Sequence, residues 1–309
     1  MTNHFLGSTR FSLYDPASPS WRLSRQMGKK NAEAYLAKLY SPARMDRRVE
    51  IFFDYTLPII EQGSHNHSLV HVLSFSEELP PPYLRHLESA AEKYSWLHLD
   101  KRTAKNRKGT SIDSWAKRSF EAGDIYAEYR LDDDDLLATS YYDTVAEYLT
   151  PENVGKYVSL GLGIQAFYDD GAFREPRVEH RPKIAIGLAR VCAITEDKKI
   201  DGPRRVAHTQ VDRHAPVIVD SQQIQFLHSI HFDQDSGVDK PDGDLGNRFR
   251  NYLNQPKPDS IPAGAFPNVP FEKIEEPEQI KMLIGAHANL RTARATLKKI
   301  GRRLSNIRF

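Results

Sequence analysis

The chain has 309 residues, 39% hydrophobic and 27% charged, so it can bury a sizeable core and is not disordered throughout. Lys and Arg number 43 against 41 Asp and Glu, which argues against a surface built wholly around a nucleic-acid backbone. The single cysteine, Cys192, excludes an internal disulfide and zinc sites made of several thiolates, and it fits a reducing compartment.

The opening residues MTNHFLGSTRFSLYD lack the apolar stretch and cleavage pattern of a signal peptide, and no window reads as a membrane span. A strand is then predicted over His4 to Leu13. Helical periodicity runs from Asn31 to Glu61, interrupted near Pro42, and Ser68 to Phe75 reads as a second strand. A helix over Tyr83 to Tyr94, a short strand at Trp96 to Leu99, a basic loop over Asp100 to Gly109 and a helix over Ser111 to Ala122 follow. Asp124 to Leu131 is the fourth apolar run, and a helix is expected over Leu136 to Leu149. This alternation predicts an α/β fold, with a mostly parallel central sheet flanked by helices.

From Pro151 the pattern changes. Lys156 to Phe167 and Lys183 to Thr195 read as β segments joined by the polar stretch DDGAFREPRVEHRP, a smaller mixed β region. A helix is expected over Ser221 to His231, then a long loop over Gln234 to Pro270 with one short helix at Leu245 to Leu253. From Pro277 apolar residues recur at helical spacing. Gln279 to Phe309 carries eight basic residues and no acidic one, leaving the first 278 residues at about −6. This basic amphipathic tail can pack on the domain or lie on an anionic membrane surface.

The strongest chemical signal is Arg130-Leu131-Asp132-Asp133-Asp134-Asp135-Leu136-Leu137, where a β run ends. Four adjacent carboxylates repel one another unless a cation or strong donors compensate, and hard divalent ions prefer such oxygens. At the carboxyl end of a strand they face the crevice where open α/β sheets bind ligands. An acidic first turn for the following helix is the alternative.

These residues resemble the Asp-x-Asp motif of GT-A type nucleotide-sugar glycosyltransferases, and more narrowly a bacterial rhamnosyltransferase family. The resemblance is carried in order by TRFS at Thr9 to Ser12, LYSPARM at Leu39 to Met45, LPIIEQ at Leu57 to Gln62, LSFSEELPPPYLRHL at Leu73 to Leu87, YRLDDDDLL at Tyr129 to Leu137 and FLHSIHFDQDS at Phe226 to Ser236. It implies a GT-A domain over residues 1–275, with a nucleotide-sugar half at 1–150 and an acceptor half at 151–275, followed by the tail at 276–309. The late segment has His231-Phe232 in place of the family's His-Gly pair.

The resemblance places Asp132 and Asp133 on the donor side, the former at the ribose, and Asp134 on Mn²⁺ or Mg²⁺, with His231 as a further ligand or a dipole-facing histidine. Thr9, Arg10 and Phe11 would flank the nucleotide. Trp115 and Arg118 sit on the helix beside it, Trp115 also reading as core. Asp220 is the candidate base, with Asp169, Asp170 and Asp212 as rivals. The implied reaction is inverting transfer of a sugar from a nucleotide-diphosphate donor to a surface-glycan or lipid-linked acceptor. The enzyme would be cytoplasmic or peripheral on the membrane's cytoplasmic face, with no nucleic-acid partner expected. A metal-dependent nucleotidyltransferase or pyrophosphorylase, and a membrane- or nucleic-acid-binding module acting through the tail, are the alternatives.

Overall fold

Strands packed against helices on both faces have little solvent side to mark with polar residues, which is why four segments of this chain carry short apolar runs. In the computed structural model, which describes residues 3–17, 24, 31–231, 251–262 and 264–272, these are β1 (His4–Arg10), β2 (Ser68–Ser76), β3 (Leu97–Arg102) and β4 (Ile125–Arg130). Between β1 and β2 lie α1 (Ala32–Leu39), α2 (Pro42–Val49), a π-helical turn (Glu50–Thr56) and α3 (Leu57–Ser64). Pro42 opens α2 at a position where its missing N–H has no helical partner to lose. Next, α4 (Pro81–Lys93) joins β2 to β3, and α5 (Ile112–Ser119) joins β3 to β4 with Ser111 capping the Ser114 N–H.

β1 pairs in parallel with β2 on one side and β4 on the other, and β3 extends the sheet beyond β2. Connections therefore leave β1 in opposite directions, which opens a crevice at the carboxyl ends of β1 and β4. Beyond β4 the sheet continues through β9 (Ala189–Ile194), β6 (Tyr157–Leu160) and β11 (Val217–Asp220), and β10 (Ile200–Asp201) pairs with β9. Only β9 runs against the other strands of this sheet, antiparallel to β4, β6 and β10. This is the mixed α/β architecture the strand and helix alternation predicts.

A second sheet crosses the open end, in the order β13 (Phe271–Glu272), β8 (Ala172–His180), β7 (Leu162–Asp169), β12 (Phe226–Ile230) and β5 (Leu136–Leu137). Here the structure corrects several expectations. The helix expected over Leu136 to Leu149 starts as β5, and only Tyr141–Ala146 is helical (α6). Ser221 to His231 is not a helix, because Phe226–Ile230 is a strand held between β7 and β5. Lys156 to Phe167 divides at Gly161 into β6 and β7, one in each sheet, and Lys183 to Thr195 becomes extended only from Ala189. The polar connector contains β8, in which Phe173, Glu175 and Arg177 are buried, the last two paired at 2.8 Å, and whose register against β7 shifts between Gln165 and Phe167. The buried ion pair and the shifted register hide the strand from a reading by apolar alternation.

The first core lies between the eight-stranded sheet and its helices, and the second, around Ile164, Ala166, Tyr168, Phe173 and Leu227, joins the second sheet to Ile51 and Ile59. A hydrogen-bonded chain crosses the first core. Thr9 Oγ1 meets His71 Nε2 at 2.9 Å, His71 Nδ1 meets the Tyr129 hydroxyl at 3.1 Å, and that hydroxyl meets Tyr142 at 2.6 Å. Burial drives the His71 pKa down to about 3, so the ring is neutral. Gly7 makes room for this chain, since a Cβ there would overlap the His71 ring and the Tyr129 hydroxyl.

The first sheet draws strands from both sides of residue 150, β6, β9 and β11 joining the sheet begun by β1. Among the described residues no helix is long and apolar enough to cross a membrane. The tail helix expected from Pro277 lies outside the described residues, as do residues 245–250 of the short helix, of which 251–253 are helical.

Candidate functional site at the carboxyl ends of the parallel strands

β1 and β4 both end at the crevice. The chain leaves β1 through Phe11 and Ser12, the latter at φ 41°, and leaves β4 directly into the four aspartates. The positive φ turns the Ser12 backbone toward the cluster, and its N–H and hydroxyl lie 2.8 Å and 3.2 Å from Asp133 Oδ2. Arg48 of α2 binds Asp133 Oδ1 and, at 2.8 Å, Asp134 Oδ2, while Arg44 one turn earlier holds the Ser12 hydroxyl at 2.8 Å. Both arginines are almost fully buried. The repulsion among the aspartates is thus relieved by a guanidinium delivered from a helix, and the acidic first-turn alternative fails because β5, not a helix, follows.

The four carboxylates diverge in role. Asp132 is about half exposed (47%) and is bridged at 3.2 Å by Arg130. Asp134 is buried, which disfavours its charge, but Arg48 and His231 outweigh that and hold its carboxyl far below the ordinary range. Burial first, then the charges of Asp134 and Asp132, push Asp135 well above its ordinary value. The Asp135 side chain accepts from the Ser229 N–H at 3.2 Å, continuing the ladder where β5 has ended.

His231, at the end of β12 and not on a helix, brings Nε2 to 3.0 Å from Asp134 Oδ2 across 97 residues of sequence. Burial lowers its pKa, against the pull of Asp134, so the imidazole is neutral, and among the described residues its buried Nδ1 has no partner. A hard carboxylate oxygen beside a neutral imidazole fits a divalent cation that draws its other ligands from a donor's phosphates. Among the described residues no group of three Asp, Glu, His or Cys side chains gathers into a closed cation cage.

Positive charge lines the crevice beside Asp132. Arg10 ends β1, Arg102 ends β3 and Arg130 ends β4. Lost hydration, then the charges of Arg130 and Arg102, lower the Arg10 pKa, with Asp132 and Asp15 opposing. The basic loop after β3 is tied down where Asp100 accepts the Thr110 N–H at 3.0 Å and Arg102 reaches Ser74 at 3.1 Å.

The remaining predicted residues are placed elsewhere. Thr9 and Phe11 have no exposed surface, one bound to His71 and the other packed on Phe52 and Phe53. Arg118 stacks 3.4 Å over the Trp115 ring, and Trp115 lies against His98 near the amino end of β3, away from the crevice. Asp220 ends β11, three strands from β4, where its carboxylate takes the Tyr148 hydroxyl and the Gln222 N–H, each at 2.9 Å; no helix follows it. Asp212 is paired with Lys183, and Asp169 and Asp170 lie at the far β7–β8 turn. Sequence reasoning alone does not reach Arg44, Arg48 and Ser12 as site residues. The available signal was a pair of arginines four apart on α2, sharing a buried stripe with Met45.

No curated protein matches this chain. Two solved structures share remote likeness. A "Putative Glucose-1-Phosphate Thymidylyltransferase" from Bacillus anthracis in complex with a sucrose is 8% identical, with 82% of this chain and 96% of that one covered and a TM-score of 0.34. TarS of S. aureus is 12% identical with a TM-score of 0.29, covering 82% of this chain, which spans 40% of TarS. The family model described as "Putative rhamnosyl transferase" matches residues 4–242, from β1 past His231, and the chain belongs to that family.

Proposed function

We propose that the protein transfers a sugar, rhamnose being the one its family is described by, from a nucleotide-diphosphate donor to a glycan or lipid-linked acceptor. The observation that carries this reading is the split of the aspartate cluster at the topological switch point. Asp132 faces the crevice among Arg10, Arg102 and Arg130, while Asp134 is drawn back to His231 and Arg48. The arginines offer bidentate donors to phosphate, and Asp132, half exposed beside Arg130, is the carboxylate that can accept from a ribose hydroxyl. Asp134 and His231 would hold Mn²⁺ or Mg²⁺, which would supply positive charge for the departing nucleoside diphosphate. Arg48 fixes Asp133 and Asp134 before any donor arrives, and Ser12 orders the chain between β1 and the cluster. In this reading residues 1–150 supply most of the donor's crevice, His231 joins it from the half at 151–275 that takes the acceptor, and the basic tail would hold the enzyme at an anionic membrane surface.

The test is hydrolysis or transfer of dTDP-rhamnose and UDP-glucose by full-length protein with Mn²⁺. Turnover should fall by about 10²-fold or more in Asp134→Ala, as on losing a charge-stabilising group. Unchanged turnover in both Asp132→Ala and Asp134→Ala would contradict the assignment. A nucleotidyltransferase would instead make nucleotide sugar from nucleoside triphosphate and sugar phosphate.

A further inference from the structure

In the protein without ligands, the groups offered to a divalent cation are already engaged by protein donors. A carboxylate paired with a guanidinium is ionised and can only accept, so His231 Nε2, 3.0 Å from Asp134 Oδ2, carries a hydrogen and donates it. The same oxygen accepts from Arg48 Nη2 at 2.8 Å, which occupies its second lone pair. Asp133 is filled in the same way, Oδ1 by Arg48 Nη1 and Oδ2 by the Ser12 N–H and hydroxyl. Moving the His231 proton to Nδ1 would free Nε2, but among the described residues that buried nitrogen has no acceptor.

Charge adds to the obstacle. The charges of Arg48 and Arg44 bear on Asp134, and those of Arg48 and Arg47 on His231, so three positive side chains of α2 converge on the pair. A cation held by the other oxygen of Asp134 would still share that carboxylate's charge with the guanidinium and be repelled by it. Water is a poor substitute partner here, because the Arg48 side chain is 6% exposed and that of Asp134 11%. A guanidinium N–H that gives up Asp134 is therefore stranded unless another acceptor arrives.

The fork of Arg48 shows how that acceptor can be admitted. Nη1 holds Asp133 and Nη2 holds Asp134, so the second contact can be released while the first keeps the side chain in place. A diphosphate oxygen entering from the crevice can take the released N–H, and its negative charge offsets the positive charge of α2. We propose that Arg48 is the internal counter-cation of the metal site and makes binding of a divalent cation conditional on the nucleoside diphosphate; this rests on the glycosyltransferase reading above. Arg48 is a positioning residue, acting through Asp133 and Asp134. Since the coupling is a difference of binding free energies, the nucleotide gains from the cation the same factor that the cation gains from the nucleotide.

The experiment titrates full-length protein with Mn²⁺ by calorimetry, without nucleotide and with saturating dTDP or UDP, correcting for the Mn²⁺–nucleotide complex formed in protein-free buffer. In wild type the Mn²⁺ Kd should fall about tenfold or more when nucleotide is present. In Arg48→Gln, Mn²⁺ should bind the nucleotide-free protein about tenfold or more tightly than it binds wild type, and should gain less from nucleotide. An arginine that merely supported the fold would give the opposite, weaker Mn²⁺ binding in the variant. The double variant Arg48→Met, Asp133→Asn removes one charge of each sign and strands fewer buried carboxylates, and it should show the same tightening. Equal Mn²⁺ affinity with and without nucleotide in wild type, or no tightening in a folded variant, overturns this assignment and leaves the donor site standing. The wild-type comparison decides if neither variant folds. If wild type binds neither dTDP nor UDP, with or without Mn²⁺, the transferase reading falls and this assignment with it.

Discussion

The two sheets position their chemistry by different rules. In the first, the parallel strands and their connections fix where ligands gather, and the crevice residues Arg10, Arg102, Arg130 and Asp132 are simply those at or just past the strand ends. In the second, strand pairing and alternation decide which side chains meet, bringing His231 to Asp134 on one face of β12 and His228 to Glu179 on the other. Topology supplies the place, and a few cross-strand neighbours supply the reactive groups. Arg48 ties the two together, because the helix it rides belongs to the first sheet's crossover while the aspartates it holds open the path to the second.

That division can be broken at several points. The largest structural effect is expected from Arg48→Ala, which strands two buried carboxylates and should cost about 3–5 kcal/mol in urea unfolding, with Arg48→Lys recovering part. An Arg48→Ala protein as stable as wild type would show that the aspartates do not depend on α2. Gly7→Ala, by overfilling the space beside His71, should cost about 1–3 kcal/mol and leave the second sheet's pairings untouched.

A subtler probe is pH. The His71 pKa is about 3 in the folded protein against about 6.5 unfolded, so its contribution is complete above about 6.5 and is lost as pH falls toward 3. Between those limits stability should fall by about 1.4 kcal/mol per pH unit from this group, and His71→Gln should flatten that part of the curve. The smallest effect is at the rim, where removing the exposed Lys198–Glu121 pair should change stability by less than about 0.5 kcal/mol. A larger loss there would mean that the first sheet's β9–β10 margin is more than a solvated edge.

Much of the first sheet is legible in the sequence because its strands are apolar on both faces and its helices begin at Pro42, Ser111 and the proline run at 80–82. The aspartate cluster is legible for the same reason, standing where an apolar run stops. What is not legible depends on pairing. β5 and β12 are short, and only their neighbours make them strands; the buried pair Glu175–Arg177 disguises β8 as a polar connector. The partners of the aspartates were missed because Arg44 and Arg48 look like an ordinary basic helix face until α2 is packed against the loop at Ser12. Thr9, Phe11 and Asp220 lie at or beside strand ends and Arg118 on a helix, but their side chains are used by the core, by Trp115 or by Tyr148.

The central claim is that the crevice at β1 and β4 binds a nucleoside diphosphate through Asp132 and its arginines. Calorimetric titration of the full-length protein with dTDP, UDP and GDP in the presence of Mn²⁺ tests it most directly. At least one nucleotide should bind, with affinity falling about tenfold or more in Asp132→Ala and in Arg10→Ala, in keeping with lost charge-assisted hydrogen bonds. Equal affinity in wild type and both variants would contradict the account.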